Sequence, residues 1–237
     1  MMKKSIVVAM AMVTALGVSS VCSAWGMPSV PGVKKETSNV AAANIDFTDL
    51  TNRQGEVLNA LQEGLRWELA AYGLLDRSVG VDDKEIVAAI TNLQSNKDTG
   101  KTPKMLTKQN ESLKKGFAAV VNGTDQGKKD ALRDAIAQAG ALKHMAYTSF
   151  GKALLDAPKL VSDVTSLTKV VKDFNVLNKA KGIISTGQQA SKIIPAAKNA
   201  FDALNQSIGD AKVAVGDKQL EYDKAGCEEV VNAYLGK

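Results

Sequence analysis

The chain has 237 residues, 45% of them hydrophobic but only 5% aromatic, with 30 basic against 25 acidic side chains and a formal charge of +5. That hydrophobic content excludes a disordered composition, and the scarcity of Phe, Tyr and Trp asks for a core of Ala, Leu, Val and Ile, which suits helices in close approach. A single histidine and two cysteines exclude the usual zinc and di-iron donor sets and any disulfide framework in the exported chain.

Residues 1–24 have the make-up of an export signal. Lys3 and Lys4 form a basic start, Ile6 to Val18 an uncharged apolar run, and Cys22-Ser23-Ala24 a small-residue cleavage site before Trp25. The run is shorter than the roughly 18–20 apolar residues that span a bilayer, so a removable signal is expected rather than an anchor, with the periplasm or the cell exterior as destination. Lipid attachment at Cys22 would call for a small residue just before it, where Val21 stands. Cleavage removes Cys22 and two positive charges, leaving a nearly balanced chain whose one thiol is Cys227. The remaining lysines alternate with carboxylates, so nucleic acid is not an expected partner.

Residues 25–44 mix Pro, Gly and Ser without periodicity and read as a flexible leader, with one helical domain following over 45–237. From Asp46, two adjacent rows, Leu50/Val57/Leu61/Leu65/Leu69/Tyr72 and Ala60/Gly64/Trp67/Ala71/Leu74, give a first helix with an apolar arc wide enough for several neighbours. Gly80 should end it, and Asp82 or Asp83 should cap a second helix ending near Gln94. Thr102-Pro103 predicts an N-cap and a proline at the first position of a third helix, which stops at Gly123. Thr124 or Asp125 starts a fourth, predicted to break at Asp156-Ala157-Pro158 because proline lacks a donor and restricts the residue before it. Leu160, Val164, Leu167, Val171 and Phe174 then suggest a fifth helix with a paired-helix seam. Gly182, Gly187 and Pro195 suggest one or two kinks or a break between helices, the break being the favoured expectation. A last helix is expected from about Asp217 to Leu235, with Leu220, Cys227, Val231 and Tyr234 on one face. The fold class expected is all-α, an elongated antiparallel bundle of about six helices with essentially no strand.

Motifs that carry chemistry are few. Gly100-Lys101-Thr102 resembles the end of a phosphate-binding loop, but Ser95 stands where glycine is needed and Pro103 removes a donor. His144 has no Glu three residues before it for a di-iron site, and no Gly-x-Ser-x-Gly elbow accompanies it. Glu63, Glu68, Asp82, Asp83 and Glu85 fall in mixed-charge stretches and read as solvated surface. No catalytic, metal or cofactor residues, and no cofactor, are expected.

Two features remain as candidates for contact. The low-charge stretch 182–197, with Ile183, Ile184, Ile193 and Ile194, could meet a partner or a membrane surface. Cys227, on an apolar helix face, is either a buried small hydrophobe or one half of an intermolecular disulfide. The function expected is a non-catalytic binding, scaffold or structural role in the bacterial envelope, with an unknown protein partner or self-association. The alternatives are a membrane-active protein of the pore-forming kind working through 182–197, and a metal-free enzyme or cofactor carrier.

Overall fold

The computed structural model describes residues 47–93, 99–169, 171, 174–211 and 223–237. The expected signal and leader lie outside these residues, as do Leu220 and the expected start of the last helix. By compactness the chain divides into Met1–Ala43 and Asn44–Lys237, and everything below belongs to the second part. Its described residues form six α-helices: α1 Phe47–Val79, α2 Lys84–Leu93, α3 Thr102–Asn122, α4 Gln126–Thr168, α5 Phe174–Asp210 and α6 Lys224–Leu235, with a one-turn 3-10 helix at Thr99–Lys101. No strand occurs among the described residues.

Helix ends follow the local signals. Gly80 adopts the left-handed conformation, φ +75°, that ends α1. Its N–H donates to the Arg77 carbonyl and that of Val81 to the Asp76 carbonyl, the paired closure of a glycine-terminated helix. The Asp82 side chain accepts from the Lys84 N–H to start α2, Asp125 caps α4 by accepting from Lys128, and Asp223 caps α6 by accepting from Gly226. Thr102, expected as a cap, instead lies inside α3, buried, with Lys101 at the cap position and no side-chain capping bond to the first turn of α3.

Two breaks expected from proline and glycine are absent. α4 continues through Pro158 to Thr168, and α5 continues through Gly182, Gly187 and Pro195 to Asp210. Both prolines sit on the exposed side of their helices, where a carbonyl that loses its partner can turn to water, so each costs a bond without stopping the helix. On the inner side the buried spacing runs on without interruption, through Ala153, Ala157, Leu160 and Val164 in α4 and Ala190, Ile193, Ile194 and Ala197 in α5. Gly187 is there for proximity: a Cβ on it would collide with the Val161 side chain and lie 3.1 Å from the Ala157 carbonyl oxygen. The seam expected over Leu160–Phe174 holds at Leu160 and Val164, which are buried, but α4 ends at Thr168 and Phe174, the first residue of α5, is exposed.

α1 is the axis of the packing and touches all five other helices. Its two apolar rows fuse over Trp67–Gly73 into a stretch in which every residue is buried. Gly64 receives the Phe150 ring of α4 and Gly73 receives the Tyr234 ring of α6, both closer than any Cβ would allow. The roughly 1 kcal/mol of helix propensity that each glycine forfeits is thus spent on close contact. Beside the first turns of α1 the chain is three helices thick, joined by Arg53 Nη1 to Asp163 Oδ2 at 2.9 Å and Gln54 Nε2 to Thr186 Oγ1 at 2.8 Å. From Glu63 onward α2, α3 and α6 join the packing.

Candidate functional site

The stretch of α1 that is buried on all sides carries polar groups at four-residue intervals. Glu68, Tyr72 and Asp76 lie one turn apart on one side of the helix, and all three are fully buried. The sequence reading placed Glu68 on a solvated face; the structure places it in the core, because α1 has no solvent-facing side there. The readable signal was that Glu68 is the only charged residue between Arg66 and Asp76 in the run WELAAYGLL.

Neither Glu68 carboxylate oxygen has a hydrogen-bonding partner among the described residues. Burial, reinforced by Asp202 and only partly opposed by Lys143, pushes its pKa up to about 8. Tyr72, one turn on, holds its hydroxyl 2.8 Å from Asn110 Oδ1 of α3 and 2.9 Å from the Ala200 carbonyl of α5. Asn110 Nδ2 donates to that same carbonyl at 2.9 Å. Burial and the neighbouring Glu68 drive the Tyr72 phenol far above its ordinary value. Asp76 Oδ2 accepts from Gln109 Nε2 of α3 at 2.8 Å while Oδ1 has no partner. Burial pushes Asp76 up to about 7; the Gln109 bond opposes the rise, and Asp83 and Asp82 add to it.

Each end of this column is covered by ionic and aromatic contacts. Over Glu68, the Lys143 ammonium stands 5.1 Å from both the Tyr147 and Phe201 ring centres and 3.8 Å from Asp202 Oδ1, and Tyr147 donates to Asp202 at 3.0 Å. Burial lowers the Lys143 pKa, against the pull of Asp202 and Glu68. Beside Asp76, Asp83 Oδ2 accepts from Arg77 Nε at 2.6 Å and from the Tyr234 hydroxyl at 2.9 Å. The Arg77 guanidinium lies 4.1 Å over the Tyr234 ring and donates to the Tyr234 carbonyl at 2.7 Å. α6 is clamped further by a two-pronged Arg66–Glu228 pair, at 2.7 and 2.6 Å, and by Lys224 on Glu63. For Glu63, burial raises the pKa, but the bonds from Lys224 and Ser149 outweigh it and the group lies below its ordinary value.

Chemically, the column can hold and release protons, and its groups are sealed from bulk water. The described residues contain no set of three His, Cys, Asp or Glu side chains placed to hold a metal ion. Of the residues singled out from sequence, Ile183, Ile193 and Ile194 are buried on the inner side of α5, and Ile184 is half-buried. Contact through them with a partner or membrane would therefore require α5 to lift. Cys227 is a free, fully buried thiol, its pKa raised by burial and then by Asp223 and Glu228. His144 is exposed on α4. Asp83 and Glu63, also read as solvated, are engaged in the α6 contacts described above. No described helix is long and apolar enough to cross a membrane.

No protein family, curated protein or solved structure matches the chain.

Proposed function

We propose that the chain is exported to the bacterial envelope and serves there as an elongated antiparallel helical bundle with a non-catalytic binding role, presenting its α4–α5 pair to a protein partner. The observation that carries this reading is the exposure of Leu155 and Phe174, 68% and 72%, the two large hydrophobic side chains left outside among the described residues. The charge around them supports a partner offering apolar side chains and carboxylates. From Phe174 to Phe201, α5 carries Lys179, Lys181, Lys192 and Lys198 and no Asp or Glu. The Lys3-Lys4 start, the apolar run and Cys22-Ser23-Ala24 support export.

A photo-crosslinking residue placed at 155 or 174 in intact envelopes should trap one protein of defined mass. The same residue at 189, on the exposed side of α5, should not trap it, and K179E/K181E should abolish trapping. The protein recovered from the envelope should begin at Trp25. Equal trapping from 155, 174 and 189, or none, overturns the binding reading. Recovery of the uncleaved chain from the cytoplasm overturns export, and dye release from liposomes at micromolar protein would favour the membrane-active alternative.

A further inference from the structure

The buried column on α1 has a property that the binding role does not use. Two carboxyl groups, Glu68 and Asp76, are held at zero exposure on the most enclosed helix of the chain, two turns apart, with three of their four oxygens lacking any hydrogen-bonding partner among the described residues. A carboxylate in such a place forfeits its hydration and, apart from the Gln109 bond to Asp76 Oδ2, receives no hydrogen bond in return among the described residues, whereas a protonated carboxyl is close to a neutral amide in its demands. Over Tyr72, between the two carboxyl groups, the cover is made by α3 and α5, joined there by hydrogen bonds. There the Tyr72 hydroxyl and the Asn110 amide converge on the Ala200 carbonyl.

We propose that Glu68 and Asp76 form a proton-held latch: with both protonated, α3 and α5 close over Tyr72, and loss of the two protons on going from acid to alkaline medium loosens that cover.

Among the described residues, the latch is faced by charged and titratable groups from α3, α4, α5, α6 and the turn into α2. Glu68 meets Lys143 and Tyr147 from α4, Asp202 from α5 and Tyr72 on its own helix. Asp76 meets Gln109 from α3, Asp82 and Asp83 from the turn into α2, Tyr234 from α6, and Tyr72. Among the described residues, Lys143 is the cation set against Glu68. It is held 3.8 Å from Asp202 and leaves both Glu68 oxygens unbonded, so it does not serve as their counterion. Around Asp76 the nearby charges are themselves carboxylates, which add repulsion, and Arg77 is committed to Asp83 and Tyr234. Both sites therefore favour the proton. Both titrate close to neutrality, Glu68 at about 8 and Asp76 at about 7. Each acid is held above its unfolded value, so stability is greatest below the unfolded value, falls as pH climbs toward the folded one and levels off above it. Opening would bring water to the inner side of α5, where Ile193 and Ile194 lie.

The test compares the full chain with E68Q, D76N and the double variant, in which the amides stand in for the protonated acids. In the wild type the unfolding constant from urea titration should rise between pH 5 and pH 8, up to roughly tenfold per pH unit for each acid involved. Amides of residues 196–204 should exchange faster at pH 8.5 than at pH 5, once corrected for the intrinsic pH dependence of exchange. Each single variant should remove part of both effects and the double variant nearly all. Carbon-13 NMR of the wild type should show two carboxyl groups titrating near neutrality, missing one by one in E68Q and D76N, which keeps the proposal testable even if a variant folds poorly. Carboxyl titrations confined to the ordinary range near pH 4, or a wild-type pH slope unchanged in the double variant, overturns it.

Discussion

In the first turns of α1, Leu50 and Val57 are the buried side chains up to position 57, and the helix lies beside two others. From Ala60 to Asp76 the same helix buries nearly everything it carries, charges included. The three-helix end is filled with aliphatic and small residues, Ala157, Leu160, Val164, Ala180 and Ile183. Every buried aromatic among the described residues, Trp67, Tyr72, Phe117, Phe150, Phe201 and Tyr234, lies in the six-helix end. The difference teaches where a buried acid can be carried. Keeping Glu68 protonated at pH 7 costs about 3 kcal/mol, since its folded value near 8 replaces an ordinary 4.5. One fully buried Phe contributes about that much. A region with six such rings can hold two proton-dependent groups and remain closed, whereas the three-helix end, where Phe47 is only half-buried, has no fully enclosed ring among the described residues to set against such a cost.

Substitutions can break or sharpen this contrast. The largest effect is expected from Phe150→Ala, which empties the space over Gly64 and should lower the unfolding free energy by about 3–5 kcal/mol. Leu160→Ala in the three-helix end should cost less, about 2–3 kcal/mol, because thinner packing can collapse around the void. Urea titration of the two variants at pH 5 compares them, and a larger loss at Leu160 would reverse the ranking of the two ends. Next come the two glycines at close approaches. Gly64→Ala should cost about 1–3 kcal/mol, because the Phe150 ring it meets is enclosed on every side. Gly187→Ala should cost less, because the closest atom it meets belongs to the half-exposed Val161 side chain, which can turn away, and the Ala157 carbonyl 3.1 Å off need give only by a few tenths of an ångström. Thermal melts of the pair decide this, and equal shifts would mean the three-helix end is packed as tightly as the other. The smallest effects belong to the ion pairs. Glu228→Ala, which removes the two-pronged partner of the partly buried Arg66, should cost about 1 kcal/mol. Arg53→Ala, at the more exposed pair with Asp163 and Asp49, should cost under about 0.5 kcal/mol. The first loss should appear as release of α6, read by faster reaction of Cys227 with a thiol reagent, and the second should leave that rate unchanged.

Much of the helical plan was legible from apolar spacing and end signals. The two rows on α1 predicted a helix with several neighbours, and Gly80, Asp125 and Gly123 marked ends that the structure keeps. The prolines misled because a sequence states that a donor is missing but not which side of the helix it is missing from. At Pro158 and Pro195 the gap faces water, and the inward spacing carries the helix on. The column was invisible for a related reason. Glu68 obeys a helical pattern in which one side is assumed to be wet, and that assumption fails only where α3, α4, α5 and α6 all close around the same turns of α1. Those helices come from sequence 30 to 160 residues away. The meeting of Asn110 and the Ala200 carbonyl on Tyr72 depends on tertiary placement that periodicity does not encode.

Residue-resolved amide exchange of the full chain at pH 5 and pH 8.5, corrected for intrinsic rates, tests the contrast most directly. At pH 5 the amides of 60–76 and 190–204 should be protected well beyond those of 50–57 and 176–186. At pH 8.5 the first set should lose much of that advantage while the second barely changes. Uniform protection along α1 and α5 at pH 5, or a loss on alkalinisation shared equally by both sets, would contradict the account.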